Sequence, residues 1–164
     1  MSIYNQSNSS CFAENSTVAL ATGTGSDDGD EKVIAIRKLR PNIMVLTLRG
    51  PRKVITVLKT LVKEKRLRLV DRVLITPWHP VLLSQEKGWV FPIYITKREE
   101  EYTGSIYSVL LQRDRDINAH TIKVGGLWGV TLGHRMIEQT ETGDVRAHQF
   151  FGNYDRVVKA LGRL

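Results

Sequence analysis

The chain has almost no cysteine: a single one, Cys11, in 164 residues. One thiol cannot build a disulfide framework, which excludes the small disulfide-stapled secreted scaffolds and favours a reducing, intracellular setting. No apolar run approaches the ~18 residues that a membrane span needs, so no membrane-spanning segment is expected. The N-terminus lacks a basic region followed by an apolar block, so no secretory signal is read there. None of the four histidines, His79, His120, His134 and His148, stands at close pair spacing with another. With one sulfur available, no metal site and no cofactor is expected. No internal repeat is visible either. What is present, 41% apolar and 25% charged residues, is the mixture of an ordinary globular chain, long enough for one domain and short for two. A monomer is expected.

Charge is unevenly placed. Between Arg49 and Arg72 stand nine Lys/Arg and two acids, Glu64 and Asp71, which account for the whole net charge of +7. A patch for nucleic acid is one reading of such a run, and a solvated basic face is the other. No aromatic residue lies inside the run, so support for base stacking is missing and nucleic acid is not expected as a partner.

Along the chain, residues 1–10 (MSIYNQSNSS) are polar with no apolar period and read as a flexible flank. The domain follows over 11–164. Gly23–Glu31 is an acidic, glycine-rich loop. Its Asp27, Asp28 and Asp30 do not have the spacing or the following glutamate of a calcium loop, so a hairpin or surface loop is the expectation. Short β-rich runs are expected at Thr17–Ala21, Lys32–Arg37, Ile43–Leu48, Lys53–Leu58, Leu67–Ile75, Trp89–Thr96, Ser105–Leu111, Thr121–Val124 and Trp128–Leu132. Turn residues between them argue for an all-β domain. Val54–Arg66 also fits an amphipathic helix, and periodicity alone does not decide. The last element is a helix: Asn153 is placed to cap it, with Val157, Val158, Leu161 and Leu164 assigned to one face.

Two features carry chemistry. Cys11 stands at the head of the domain, where it is either a small buried residue or a nucleophile in need of a partner base. Thr76-Pro77-Trp78-His79-Pro80 has two prolines that force extended backbone before them and end the preceding strand. It is either a strand end with a partly buried histidine or a tight turn that brings a hydroxyl and an imidazole together. His134 lies in a second tight turn, Leu132-Gly133-His134.

Together these segments resemble the Hint superfamily of hedgehog proteins and inteins, and above all the Hint domain associated with von Willebrand factor A domains, called Vint. The likeness is carried by Cys11-Phe12 with Ser16-Thr17-Val18, by Ile75-Thr76-Pro77-Trp78-His79-Pro80-Val81 and by Gly88-Trp89-Val90-Phe91-Pro92. It continues through His120-Thr121-Ile122-Lys123-Val124-Gly125-Gly126, Gly129-Val130-Thr131-Leu132-Gly133-His134 and His148-Gln149-Phe150-Phe151-Gly152-Asn153-Tyr154, nearly the whole chain. The resemblance implies an all-β horseshoe in which Cys11 attacks the Ser10 carbonyl. That N-to-S acyl shift leaves a thioester, which water or a small nucleophile resolves. The resemblance gives Thr76 the task of orienting the scissile amide and His79 that of protonating the departing nitrogen. The upstream polypeptide of the same chain, such as a von Willebrand factor A domain, is the implied partner.

Departures from the family narrow the expectation. Val130-Thr131 stands where inteins end in His-Asn, so splicing is not expected. There is no second cysteine and no acid near Val57-Leu58-Lys59-Thr60, so a sterol acceptor lacks its hedgehog machinery. Ser10 replaces the glycine common before the nucleophile. His134 is a candidate for the second step or a turn residue. The expected activity is therefore single-turnover cleavage at Ser10–Cys11, with a Hint-fold binding or structural module as the alternative.

Overall fold

The computed structural model describes residues 10–21, 32–137, 143–148 and 150–162. The acidic loop with Asp27, Asp28 and Asp30, most of the N-terminal flank, and Leu164 lie outside these residues. Among the described residues eleven strands form two sheets, the all-β class that the β-rich runs predict. The strands are β1 (Phe12–Ala13), β2 (Thr17–Ala19), β3 (Val33–Ala35), β4 (Met44–Thr47), β5 (Gly50–Val70), β6 (Val73–Ile75), β7 (Val81–Leu82), β8 (Trp89–Val90), β9 (Glu99–Leu111), β10 (Thr121–Val124) and β11 (Leu127–Val130). A five-stranded sheet has the order β4-β5-β6-β1-β9, and a six-stranded sheet the order β3-β2-β10-β11-β7-β8.

The first strand, β1, is only Phe12–Ala13, yet it lies between two longer partners. It pairs antiparallel with β6 (Val73–Ile75) and with β9 (Glu99–Leu111). Strand β5 (Gly50–Val70) pairs with both of these as well. The pairings β5–β6, β6–β1, β1–β9 and β9–β5 thus close a ring, leaving the short β1 with no open edge.

Two expectations are revised here. Strand β5 runs unbroken through Val54–Arg66, where sequence periodicity left helix and strand undecided. Long-range pairing decides it: the run lies antiparallel along β9 from Val54↔Leu111 to Arg68↔Glu99, with register shifts at Val54/Thr56 and Val62/Lys65. The Leu67–Ile75 run, expected as one strand, is a hairpin. Asp71 and Arg72 both have positive φ, 46° and 69°, and Val70 pairs with Val73. That is a two-residue turn of the type whose twist matches a hairpin. Its effect is to send β6 back beside β1.

The basic run lies mostly on β5, where acids distant in sequence meet it. Arg66 and Arg68 pair across the ladder with Glu101 and Glu99, and Arg49 and Arg52 reach Asp116 and Asp114 at 2.7 and 3.0 Å. The main core gathers Phe12, Ile36, Val54, Ile75, Val109, Ile122 and Leu127, all fully buried or nearly so.

Remaining boundaries shift modestly. Strand β8 is Trp89–Val90 only, because Pro92 starts a short helix, α1 (Pro92–Ile95). In the six-stranded sheet β10 is Thr121–Val124 and β11 is Leu127–Val130. The final helix, α2 (Tyr154–Leu161), begins at Asn153, whose side chain accepts from the Arg156 amide. Val157 is buried but Val158 is 43% exposed, since adjacent helical residues diverge by about 100°.

Candidate active site

Register builds the site. Phe12 pairs with Ile75 on one side and with Tyr107 on the other. One residue earlier in an antiparallel ladder is one residue later in its partners, so Cys11 stands between Thr76 and Ser108. The bonds follow. The Cys11 amide donates to Thr76 Oγ1 at 3.0 Å, and the Thr76 amide donates to the Cys11 carbonyl at 3.0 Å. The Thr76 hydroxyl also donates to the Cys11 carbonyl at 3.3 Å. On the other flank Cys11 Sγ lies 3.0 Å from Ser108 Oγ. The Ser108 hydroxyl donates to the carbonyl oxygen of Ser10. Because its one hydrogen is committed there, Ser108 Oγ is the acceptor for the Cys11 thiol.

The turn after β6 behaves as its prolines require. The His79 amide donates to the Thr76 carbonyl at 3.2 Å, closing a four-residue turn that brings Thr76 and His79 to one side. The His79 ring packs against Phe12 with centroids 4.3 Å apart and planes tilted by 51°. Its Nε2 donates to the Val130 carbonyl at 2.8 Å, since a carbonyl only accepts. Nδ1 is therefore the unprotonated nitrogen, buried and with no hydrogen-bond partner among the described residues. Burial pushes this histidine down to about 4, while the Val130 carbonyl and the Cys11 backbone favour the charged ring. The neutral ring is the resting form. Gly129 leaves room for this contact: a Cβ there would stand 2.5 Å from Phe12 Cζ and 3.2 Å from His79 Nε2.

His134 does not reach the thiol. It lines a cavity of about 250 Å³ together with Ser10, Trp78, Phe91, Leu132 and Phe151. Its Nδ1 accepts from the Met136 amide at 3.2 Å, which leaves the ring proton on Nε2. Burial, reinforced by His120 and Arg146, pushes it down to about 3. The cavity thus touches the acyl side of the Ser10–Cys11 bond and carries a neutral imidazole. His120 and His148 serve the scaffold: His120 Nε2 donates to the Asp114 carbonyl, and His148 Nδ1 accepts from the Phe150 and Phe151 amides. Among the described residues no group of three or more His, Cys, Asp or Glu is placed to hold a metal ion.

Ser108 is the residue that sequence reasoning missed. The sequence places Ser105–Leu111 among the β-rich runs and assigns Ser108 no role. The stretch from Ser105 to Leu111 is buried on both faces, and Ser108 is 2% exposed. A serine three residues after another falls on the opposite face of a strand. That parity was the available signal, since two serines on opposite faces cannot both be a solvent edge.

Comparison with known proteins agrees with this architecture. A search of curated proteins finds no match. Solved structures that resemble the chain include the gp41-1 intein, at TM-score 0.49 and 14% identity over 74% of this chain and 98% of that one. A variant of the same intein carrying substitutions aligns at TM-score 0.50 and 13% identity, over 74% of this chain and 99% of the other. At 13% identity the second likeness, at TM-score 0.50, concerns the fold alone. The sequence model of the Vint family, described as a Hint domain, matches residues 10–164. The chain belongs to the Vint family of Hint domains.

Proposed function

We propose that this Hint domain cleaves its own chain at Ser10–Cys11 through a thioester. The observation that carries the reading is the Ser108 hydroxyl, which bonds at once to the Cys11 thiol and to the Ser10 carbonyl oxygen. Attack joins Cys11 Sγ to the Ser10 carbonyl carbon. The thiol proton passes to Ser108 Oγ, and the Ser108 proton passes to the carbonyl oxygen as charge develops there. A side-chain hydroxyl thereby fills the oxyanion-stabilising role.

Collapse breaks the bond between the Ser10 carbon and the Cys11 nitrogen. Thr76 holds that nitrogen, and the open Nδ1 of His79 takes up a proton and delivers it as the amine departs. The hydroxyl proton is released as the carbonyl re-forms, replacing the one that His79 acquired. The products are a Ser10 thioester on Cys11 Sγ and a free amine at Cys11. The upstream segment of the same chain, for which a von Willebrand factor A domain is the natural candidate, is the acyl donor. Water or a small nucleophile then attacks from the cavity that Ser10 shares with His134, whose Nε2 proton is suited to the second oxyanion.

A reporter fused upstream of residue 1 tests this. Cleavage before Cys11 that dithiothreitol or hydroxylamine accelerates, that Cys11→Ala abolishes and that His79→Ala slows, is the expected result. A fusion that stays intact under every condition would reject the reading in favour of a binding or structural module with the Hint fold.

A further inference from the structure

Lys65 stands apart from the rest of the basic run. Register along β5 and β9 shifts between Val62 and Lys65 and is then unbroken from Lys65↔Tyr102 to Arg68↔Glu99. Glu64, at the irregularity, has φ 52°, and its amide is satisfied by Thr103 Oγ1 at 2.9 Å. Such bulges re-aim the side chains that follow them. From there Lys65 and Leu67 share one face of the strand, while Arg66 and Arg68 share the other. Leu67 is fully buried in a cluster with Cys11, Ala13 and Ile106, against which Val62 and Tyr102 pack. Lys65 therefore extends along the wall of the thiol's own compartment. Its Nζ is shielded from solvent and has no hydrogen-bond partner among the described residues. An ammonium in that position, shielded from solvent and with no carboxylate partner among the described residues, is costly to hold.

The groups around the thiol come from several elements. Tyr102 of β9 bonds through its hydroxyl to the Ser105 carbonyl and to the Glu14 amide. Glu14 is the acid whose charge acts on Tyr102, and His79 rests as the neutral ring. Ser108 is a neutral hydroxyl. Lys65 is the cation, among the described residues, whose charge is coupled to the Cys11 thiol. Burial pulls Lys65 below the usual lysine range, and the Cys11 thiol opposes that fall, so the two groups feel each other's charge.

We infer that Lys65 is a positioning residue for the nucleophile, its ammonium stabilising the negative charge that develops on Cys11 Sγ. The inference rests on the cleavage reading for its purpose, and on the β5 register for its geometry. No new bond is made or broken. The thiol proton still moves to Ser108, and the cation lowers the cost of the sulfur's share of the charge.

The test uses the whole chain with its upstream reporter, in wild type, Lys65→Met, Lys65→Arg and Lys63→Met. Methionine matches the shape of the lysine stem, and replacing a buried charge by an apolar group of similar volume tends not to cost stability. Should Lys65→Met fail to fold, Lys65→Gln takes its place. Since Cys11 is the only cysteine, subtracting the spectrum of Cys11→Ala isolates its thiolate absorbance in a pH titration. The pH profile of thiol-induced cleavage is the second readout. Lys65→Met is expected to move both midpoints upward by about one pH unit or more. Lys65→Arg is expected to restore them, and Lys63→Met, on the exposed part of the strand, to leave them unchanged. A folded Lys65→Met with the wild-type thiolate midpoint overturns the inference. A shifted midpoint with no cleavage in any variant keeps the role of Lys65 in thiol ionisation and rejects the cleavage reading instead.

Discussion

Replacing Ser108 with alanine removes one oxygen and nothing else, so its consequences can be separated. In the resting protein that oxygen accepts from the Cys11 thiol at 3.0 Å and donates to the Ser10 carbonyl. The thiol is a weak donor, so leaving it without an acceptor costs little. The carbonyl loses a neutral hydrogen bond, and Ser10 is only half-buried, which lets water replace part of the loss. The net cost in stability is about 1 kcal/mol. In the transition state the same oxygen faces a carbonyl that has become an alkoxide, and it must also relay the thiol proton. Removing one oxyanion donor typically lowers a rate by about 10²–10³, or roughly 3–4 kcal/mol of barrier. The two effects therefore differ several-fold. A urea titration reads the first, and the rate of dithiothreitol-induced release of an upstream reporter reads the second. Ser105→Ala, at another buried serine of β9, is the control for merely deleting a hydroxyl from the strand. The reasoning fails if Ser108→Ala loses less than threefold in rate while remaining folded, or if Ser105→Ala loses as much.

Other perturbations have equally definite outcomes. Thr76→Val keeps the shape of the side chain but leaves the buried Cys11 amide without its acceptor; a loss of about 1–3 kcal/mol is expected in urea denaturation, together with slower cleavage. Gly129→Ala puts a Cβ 2.5 Å from Phe12 Cζ, and the forced retreat of the Phe12–His79 pair should cost about 1–3 kcal/mol and depress cleavage, measured on the same fusion. Acid should destabilise the fold from below about pH 6.5, where histidines of the unfolded chain take up protons. The folded chain declines them until about 4 at His79 and about 3 at His134. Stability is thus full above the unfolded value and falls as the pH drops through that window, by on the order of 3 kcal/mol for His79 alone. Urea midpoints between pH 7 and 4 check this, and His79→Gln should flatten the curve.

Much of this was legible in the order of residues. The prolines around Trp78 and His79 marked the end of a strand and admitted a turn in which Thr76 and His79 converge, because each proline removes backbone freedom from its predecessor. Asn153 announced the last helix through its capping chemistry. The hidden part depended on pairing between distant segments. Nothing local tells that Asp71-Arg72 adopts positive φ and folds β6 back on β1. Nothing local tells that β9 is buried on both faces, which is what turns Ser108 inward. Lys65 looked like its neighbours in a basic run because charge counts ignore strand parity, and a register shift beside Glu64 determines which face it occupies. His134 was a fair candidate from its turn, but only the folded chain puts it in a cavity with Ser10 instead of beside the thiol.

The two-residue strand that carries Cys11 has a bearing on timing. Its hydroxyl neighbours come from positions 65 and 97 residues further along the chain. In an unfolded or half-synthesised chain neither is near the sulfur, and each must be brought there by closing a long loop. On the cleavage reading, reactivity at Cys11 is therefore a property of the finished fold and not of the cysteine. β1 is synthesised before β6 and β9, so on that reading the Ser10–Cys11 bond stays inert until β9 has closed the ring around β1.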